Sequence, residues 1–172
     1  MHWHLSRSNV TLTLTLIKED NRMSQHKNSD PDSHVNVSFP DPEDMGPRDW
    51  GVETLLCLAP GAFSLKRLEI KAGNKGGVQY HHLKNECGYL LSGKLLIRFD
   101  NGDGVLQENI FEEGAIFHFP PGAVHQEEAL TDCIIIEAST PHFNDRVRVE
   151  EKYGLSVDGG LPSTTKDDVI TQ

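Results

Sequence analysis

Two short segments of the sequence carry residue types that could hold a metal ion. The first segment is Gly77-Val-Gln-Tyr-His-His-Leu-Lys-Asn-Glu86. Alternate side chains of an extended strand share a face, so Gln79 and His81 point the same way. A short turn over residues 83–85 would bring Glu86 back to the same centre on the adjoining strand. The spacing therefore predicts that these three side chains converge.

The second segment runs from Gly114 to His125, where Pro120 and Gly122 predict a tight turn that delivers His125 as a fourth ligand. Two imidazoles, a carboxylate and an amide form a mixed nitrogen and oxygen set that suits one divalent transition metal, namely Zn, Mn, Fe, Ni or Co. Positions left for water or substrate would make the site catalytic rather than structural. A second register, with Tyr80 and His82 beside Glu86, is less favoured because phenols are the rarer ligands.

The other histidines and the cysteines are given no chemical role. His118 lies between two phenylalanines and is expected in the core or at the surface, and His2, His4, His26 and His34 are assigned nothing. The three cysteines, Cys57, Cys87 and Cys133, are far apart and form no CxxC motif. Their odd number argues against a disulfide framework and favours a reducing cytoplasm.

Short strand-like runs recur from residue 48 onward, with turn residues between them. The runs cover residues 54–58, 63–70, 77–82, 87–91, 94–99, 115–119 and 133–138. No segment has the pattern of an amphipathic helix of ordinary length. Closely spaced strands with turn chemistry between them predict an all-β barrel or sandwich.

The two ends of the chain differ from this middle part, which spans residues 48–155. Residues 1–47 are interpreted as an N-terminal arm or linker, because residues 21–44 are polar and hold few apolar side chains. Within the arm, residues 10–17 alternate apolar side chains with threonines, which predicts one strand. Alternatively the first 22 residues are not native and Met23 is the true start. Residues 156–172 form a polar C-terminal tail.

The charge balance limits the kinds of partner that this chain is expected to bind. The 172-residue chain has 26 acidic and 16 basic residues, a net charge of −10. This excess opposes binding to nucleic acid or to anionic membrane surfaces. No apolar stretch approaches the ~18 residues of a membrane span, so a cytoplasmic protein is expected. The apolar face of residues 10–16 needs cover, which predicts a homodimer.

The two metal segments resemble the paired motifs of the cupin family, G-x5-HxH-x3,4-E-x6-G and G-x5-P-x-G-x2-H-x3-N. The match includes the gap from Glu86 to Gly93, whereas Gln79 replaces the first histidine and Ala129 replaces the final asparagine. Glutamine can substitute for histidine through its carbonyl oxygen. The resemblance implies a single cupin barrel, a jelly-roll-like double-stranded β-helix, preceded by the N-terminal arm.

A closer resemblance, over about residues 48–155, is to the cupin domain of type II mannose-6-phosphate isomerase/guanylyltransferases. Four blocks carry it, in order: Arg48-Asp-Trp-Gly51 and residues 65–73, 79–86 and 147–154. Where that family has a histidine and three arginines, this chain has Leu83, Lys84, Gln126 and Leu155. A dianionic phosphate prefers bidentate guanidinium groups. The resemblance therefore implies the fold and the metal, but not mannose 6-phosphate as the substrate.

The isomerase resemblance implies an enediol-type isomerase or epimerase acting on a small sugar or sugar derivative. Glu137 is the candidate base because a carboxylate after three isoleucines is costly unless it faces a polar lumen. Otherwise it forms a buried ion pair with Lys66 or Arg67, or occupies a solvent-facing edge. Arg67 or Arg148 could anchor an anionic group, although only one of residues 66 and 67 can face inward. The alternatives are a mononuclear-metal dioxygenase or lyase acting on a small organic acid, and a non-catalytic sugar-binding cupin.

Overall fold

The computed structural model describes residues 37–157 and 159–172 of the chain. In chain order the strands are β1 Glu43–Asp44, β2 Gly51–Ala59, β3 Phe63–Ile70, β4 Gln79–Tyr80, β5 Glu86–Ser92, β6 Lys94–Asp100, β7 Gln107–Glu112, β8 Ile116–Phe119, β9 Val124–Ala129, β10 Cys133–Ser139 and β11 Val147–Arg148. Two 3-10 helices, Glu150–Tyr153 and Lys166–Asp168, complete the secondary structure. These residues include no α-helix, and the predicted all-β class is confirmed. The predicted strand over residues 10–17 lies outside the described residues.

Two antiparallel sheets enclose the core. The first has the strand order β1-β2-β3-β10-β5-β8 and the second the order β11-β4-β9-β6-β7. Apolar side chains from both sheets form one buried cluster, to which β3, β5, β8 and β10 contribute from the first sheet and β6 and β9 from the second. The sheets therefore pack face to face, as in a barrel or sandwich.

The predicted strands agree with the observed ones where the apolar pattern is regular. The run at residues 63–70 coincides with β3, whereas the run at 77–82 shortens to Gln79–Tyr80. Two strands of ordinary length were not predicted, β7 and β9, whose sequences are QENIFE and VHQEEA. Their polar side chains conceal the strand pattern. Two of the polar residues of β9, Gln126 and Glu127, line a polar cavity.

The hairpin between β5 and β6 depends on Gly93. Its φ of 100° lies in the left-handed region, which L side chains rarely adopt. A Cβ atom there would also lie 2.4 Å from the backbone oxygen of Asp132. This is the glycine that closes the first motif, so its place in the sequence has a direct steric cause.

The residues after β11 bond to other parts of the described chain. Thr164 donates its amide hydrogen to the carbonyl of Arg146 at 2.7 Å, and the amide of Gln172 donates to Pro141 at 3.0 Å. At the other end, β1 pairs with β2 and adds a short edge strand. In the described part of the chain, no helix is long and apolar enough to cross a membrane.

Candidate metal centre and its cavity

Three predicted ligands, His81, Glu86 and His125, meet in the barrel. Glu86 begins β5, His81 directly follows β4, and His125 lies on β9, so both sheets contribute. One donor atom from each residue lies within 4.8 Å of the other two, and all three residues are buried. Glu86 Oε1 is 3.2 Å from Nε2 of His81 and 3.2 Å from Nε2 of His125. These three side chains therefore converge, as their spacing in the sequence predicts.

Both histidines have their other ring nitrogen bonded to the backbone. Nδ1 of His81 donates to the carbonyl oxygen of Asp145, and Nδ1 of His125 donates to that of Ala123 at 3.0 Å. A carbonyl only accepts, so the proton of a neutral ring is on Nδ1 and Nε2 presents a lone pair. Metal-binding histidines are commonly oriented in this way. With both rings neutral, two lone pairs and a carboxylate oxygen converge here, which is a donor set that a metal ion can bind.

The spacing of the donor atoms also fits a metal ion. Two donors bound to one ion at about 2.1 Å lie about 3.0 Å apart at a right angle and about 3.4 Å apart at the tetrahedral angle. The observed 3.2 Å from Glu86 to each imidazole falls between these values. Burial alone would raise the pKa of Glu86, but Lys84 and the imidazoles hold that pKa well below its usual value. The carboxylate is therefore ionised and ready to bind a cation.

Gln79 lies beside these three residues. It stands directly opposite His125 in the antiparallel pair of β4 and β9, and opposite residues share a sheet face. Gln79 also lines the same cavity as His81 and Glu86. By contrast, Tyr80 and His82 contact each other edge-to-face with ring centroids 5.6 Å apart, and neither lines that cavity. The geometry favours the Gln79 register, and coordination by Gln79 stays a prediction.

The turn that carries the ligands is held by Asp145, which the sequence did not indicate. Its carboxylate accepts hydrogen bonds from the amides of His82, Leu83 and Lys84 at 2.9, 2.6 and 2.8 Å. Burial opposes ionisation of Asp145, but these bonds lower its pKa. Asp145 is more than 60 residues away in sequence, so no local pattern could have identified it.

Two of the three candidate ligands, His81 and Glu86, line a cavity of about 470 Å³, and a chain of buried ion pairs runs along its wall. Arg48 pairs with Glu53 at 2.6 Å, and Glu53 pairs with Lys66 at 2.8 Å. Lys66 and Lys84 both contact Glu137, at 3.6 and 3.1 Å. Lys84 also contacts Glu86, the ligand. We call this series the ion-pair chain.

Glu137 is buried and faces the cavity, as expected of a polar lumen. The ion pair with Lys66, one of the alternatives predicted for it, is present, and Lys84 provides a second. Ser139 donates its hydroxyl to the same oxygen, Oε1, at 3.0 Å. Among the described residues Oε2 has no hydrogen bond, which leaves one carboxylate oxygen available to a molecule in the cavity. The catalytic role of Glu137 stays a prediction.

The structure corrects the prediction for Arg67. The alternation of β3 turns Lys66 inward, where its side chain is 3% exposed, and turns Arg67 outward, where it is 39% exposed. Arg67 pairs with Glu69 at 2.7 Å on the outer face and does not line the cavity. Arg148 does line the cavity, but it pairs with Glu150 at 2.6 Å.

Glu127 is a cavity residue that sequence reasoning missed. It lies two residues after His125 on β9, so the same alternation that places the ligand places this carboxyl in the cavity. Burial raises the pKa of Glu127 to about 7, and the negative charge of Glu86 adds to the effect. The signal was present in the spacing, but β9 had not been recognised as a strand.

His118 and Cys87 lie outside the centre. His118 is exposed and its Nε2 is 2.7 Å from Oδ1 of Asn85. Cys87 is exposed on the outer face of β5, opposite to the direction of Glu86.

Comparisons with known proteins agree with this architecture. Residues 66–136 match the family model of the cupin domain. The structure of CapF with the inhibitor 3-isopropenyl-tropolone is 26% identical, with a TM-score of 0.55, over 66% of this chain and 36% of that chain. The capsular polysaccharide assembling protein CapF from Staphylococcus aureus is 27% identical, with a TM-score of 0.51, over 60% of this chain and 29% of that chain.

The chain thus spans about a third of the length of the CapF chains it resembles. No curated protein matches the sequence. The closer resemblance to type II mannose-6-phosphate isomerase/guanylyltransferases stays a prediction. Together, the two antiparallel sheets and the match of residues 66–136 support a cupin fold for the described barrel.

Proposed function

We propose that this chain is a metal-dependent cupin that acts on a sugar or sugar derivative by enediol-type isomerisation or epimerisation. The observation that carries the proposal is the convergence of His81, Glu86 and His125, with both Nδ1 protons bonded to backbone carbonyls. The cavity beside them, about 470 Å³, is within the range that suits a small molecule. Ligands that open onto such a cavity favour catalysis over a purely structural ion.

The sugar class is supported by the similarity to CapF, which is described as a capsular polysaccharide assembling protein. Because this chain covers only 29–36% of the CapF chains, their whole activity is not transferred to it. The many charged and polar side chains of the cavity suit a polyhydroxylated molecule better than an apolar one.

The proposed reaction moves a proton at the carbon next to a carbonyl. A divalent ion on His81, Glu86 and His125, with Gln79 as the fourth donor, would polarise the substrate carbonyl as a Lewis acid. Oε2 of Glu137 would take the proton from the carbon, the C–H electron pair would form the carbon–carbon double bond, and the carbonyl π pair would move to its oxygen to give an enediolate. Isomerisation results when a proton is delivered to the former carbonyl carbon and the hydroxyl proton moves to the former carbonyl oxygen. Epimerisation results when a proton is delivered to the original carbon on its opposite face, and the carbonyl forms again.

The ion-pair chain would hold Glu137 in position for this transfer. Lys66, Lys84 and Ser139 all contact Oε1, so rotation of the carboxylate would break several contacts at once. The positive charge of Lys84 would also stabilise negative charge that develops on a nearby substrate oxygen.

Metal analysis of the purified protein tests the first part of the proposal. We expect about one divalent ion per chain, lost in His81→Ala and in His125→Ala because each removes a buried donor. His118→Ala is the matched control and should keep the ion, since His118 lies outside the cluster. Full occupancy in a variant that lacks both His81 and His125 would contradict the site.

The second part is tested by incubating the protein with a panel of aldoses and uronic acids in D₂O. Nuclear magnetic resonance should detect deuterium at the carbon next to the carbonyl. Glu137→Gln should abolish this exchange while the metal content stays unchanged, because Glu137 is not a ligand. Undiminished exchange in Glu137→Gln would remove it as the base, and Glu127→Gln would then be the next variant to measure.

A further inference from the structure

Arg146 differs from most basic residues of the cavity because it has no acidic partner. Four cavity residues form ion pairs: Arg48, Lys66, Lys84 and Arg148. Within residues 37–157 and 159–172, Arg146 makes no side-chain ion pair or hydrogen bond. Lys75 is also unpaired within these ranges, but it is exposed at the cavity edge, whereas Arg146 is partly buried.

The strand register places Arg146 beside the ligands. In the antiparallel pair of β11 and β4, Arg148 stands opposite Gln79 and Val147 opposite Tyr80. Continuing this register by one residue brings Arg146 opposite His81. The ring of His81 is hydrogen-bonded to the carbonyl of Asp145, the residue before Arg146. Because alternate residues share a face, Arg146 and Arg148 both line the cavity.

The electrostatic surroundings of Arg146 are unfavourable in the protein alone. Burial lowers the pKa of Arg146. The attraction of Glu53 and Glu86 opposes this, but the positive charges of Arg48 and Arg148 add to the lowering. A guanidinium taken out of water without a counter-charge is costly. An anion that entered the cavity would remove this cost by pairing with Arg146.

We propose that Arg146 is the anchor for a carboxylate group of the molecule that binds in this cavity. This inference rests on the proposed function, since it names the substrate class of the same site: a sugar acid or a similar hydroxylated carboxylate. The fork of one guanidinium matches one carboxylate in a bidentate pair.

The cavity leaves few positive charges unpaired for a ligand, which favours a monoanion over a phosphate dianion. Six basic and seven acidic side chains line it, and all the basic ones except Arg146 and Lys75 are already paired. A carboxylate carries one negative charge and is matched by one guanidinium, whereas a phosphate dianion prefers several such groups and would bring a second negative charge among the acidic side chains.

Calorimetric titration of the full chain with three hexuronates, D-glucuronate, D-galacturonate and D-mannuronate, tests the proposal. Each is compared with its uncharged carboxamide, which keeps the shape and removes the charge. We expect the best hexuronate to bind about 10- to 100-fold more tightly than its amide, as for a charged hydrogen bond. Arg146→Met should remove this preference and leave the affinity for the amide unchanged, and Arg146→Lys should restore part of it.

Arg67→Met is the matched control, because it removes an arginine of the outer face that pairs with Glu69. It should leave both affinities unchanged. Equal binding of hexuronates and amides, no binding of any hexuronate, or an unchanged preference in Arg146→Met would overturn the anchor. Tighter binding of mannose 6-phosphate than of every hexuronate would overturn the carboxylate class.

The same titrations with protein treated with EDTA separate this inference from the proposed function. If the chain holds no metal but the preference depends on Arg146, the anchor stands and the proposed function fails. If the metal is present but hexuronates and amides bind alike, the metal centre stands and the anchor fails. A preference for hexuronates that requires the metal but persists in Arg146→Met would mean that the carboxylate binds the ion directly. This outcome also overturns the anchor.

Discussion

Replacing Lys84 with methionine is expected to destabilise the protein strongly. Lys84 is 7% exposed, and its ammonium group contacts Glu86 and, at 3.1 Å, Glu137. Burial alone would lower the pKa of Lys84, but the attraction of Glu137 and Glu86 raises it above its ordinary value. The lysine is therefore charged. Lys84→Met keeps most of the side-chain volume and removes only this charge.

The magnitude follows from the partners that remain. Removing one member of a buried ion pair costs about 3–5 kcal/mol, because the other charge is left uncompensated. Here Glu137 keeps Lys66 and Ser139, and Glu86 keeps two imidazoles, so we expect the lower end, about 3 kcal/mol. For a chain of this size that loss lowers the melting temperature by about 6–12 °C.

Urea unfolding and thermal melting in EDTA would measure this effect without metal. The matched control is Lys94→Met, because Lys94 pairs with Glu112 at 3.0 Å with side chains 45% and 75% exposed. An exposed pair of this kind is worth less than about 1 kcal/mol. If both variants lost the same free energy of unfolding, the reasoning from burial would be refuted.

Three further predictions concern the fold and assembly. Gly93→Ala should lower the free energy of unfolding by about 2 kcal/mol more than Gly102→Ala does. Both glycines have φ near 100°, but only at Gly93 would the added Cβ lie 2.4 Å from a backbone oxygen. Burial would raise the pKa of Glu53, but Lys66 and Arg48 hold that pKa below 4.5. The ionised Glu53 therefore stabilises the folded protein at neutral pH, and this contribution is lost in acid. Glu53→Gln should accordingly be less stable than the parent at pH 7, and urea titrations should show the difference disappearing as the pH falls from 4.5 through the lowered pKa. Light scattering should give the mass of two chains. Tyr89 and Ile116 are paired on adjacent strands and expose apolar surface, which a second copy of the chain would cover. A monomer at micromolar concentration would contradict this.

Regular local patterns were enough to predict the class of fold and the three residues that converge at the candidate metal centre. The apolar alternation of residues 63–70 predicted β3 to the residue, because half-buried strands repeat every two residues. The spacing of His81, Glu86 and His125 predicted their convergence, since strand alternation and a glycine-bearing turn are local properties. The turn at Gly93 could likewise be predicted, because its backbone conformation strongly favours glycine.

The electrostatic environment of the cavity was decided only by tertiary structure. Whether Lys66 or Arg67 faces inward depends on which face of β3 packs on the second sheet, and alternation alone leaves that choice open. Asp145 and Arg146 reach the ligands through pairing between segments more than 60 residues apart. Charge interactions act through space rather than along the chain, so the partners of a buried charge are known only when distant strands are brought together.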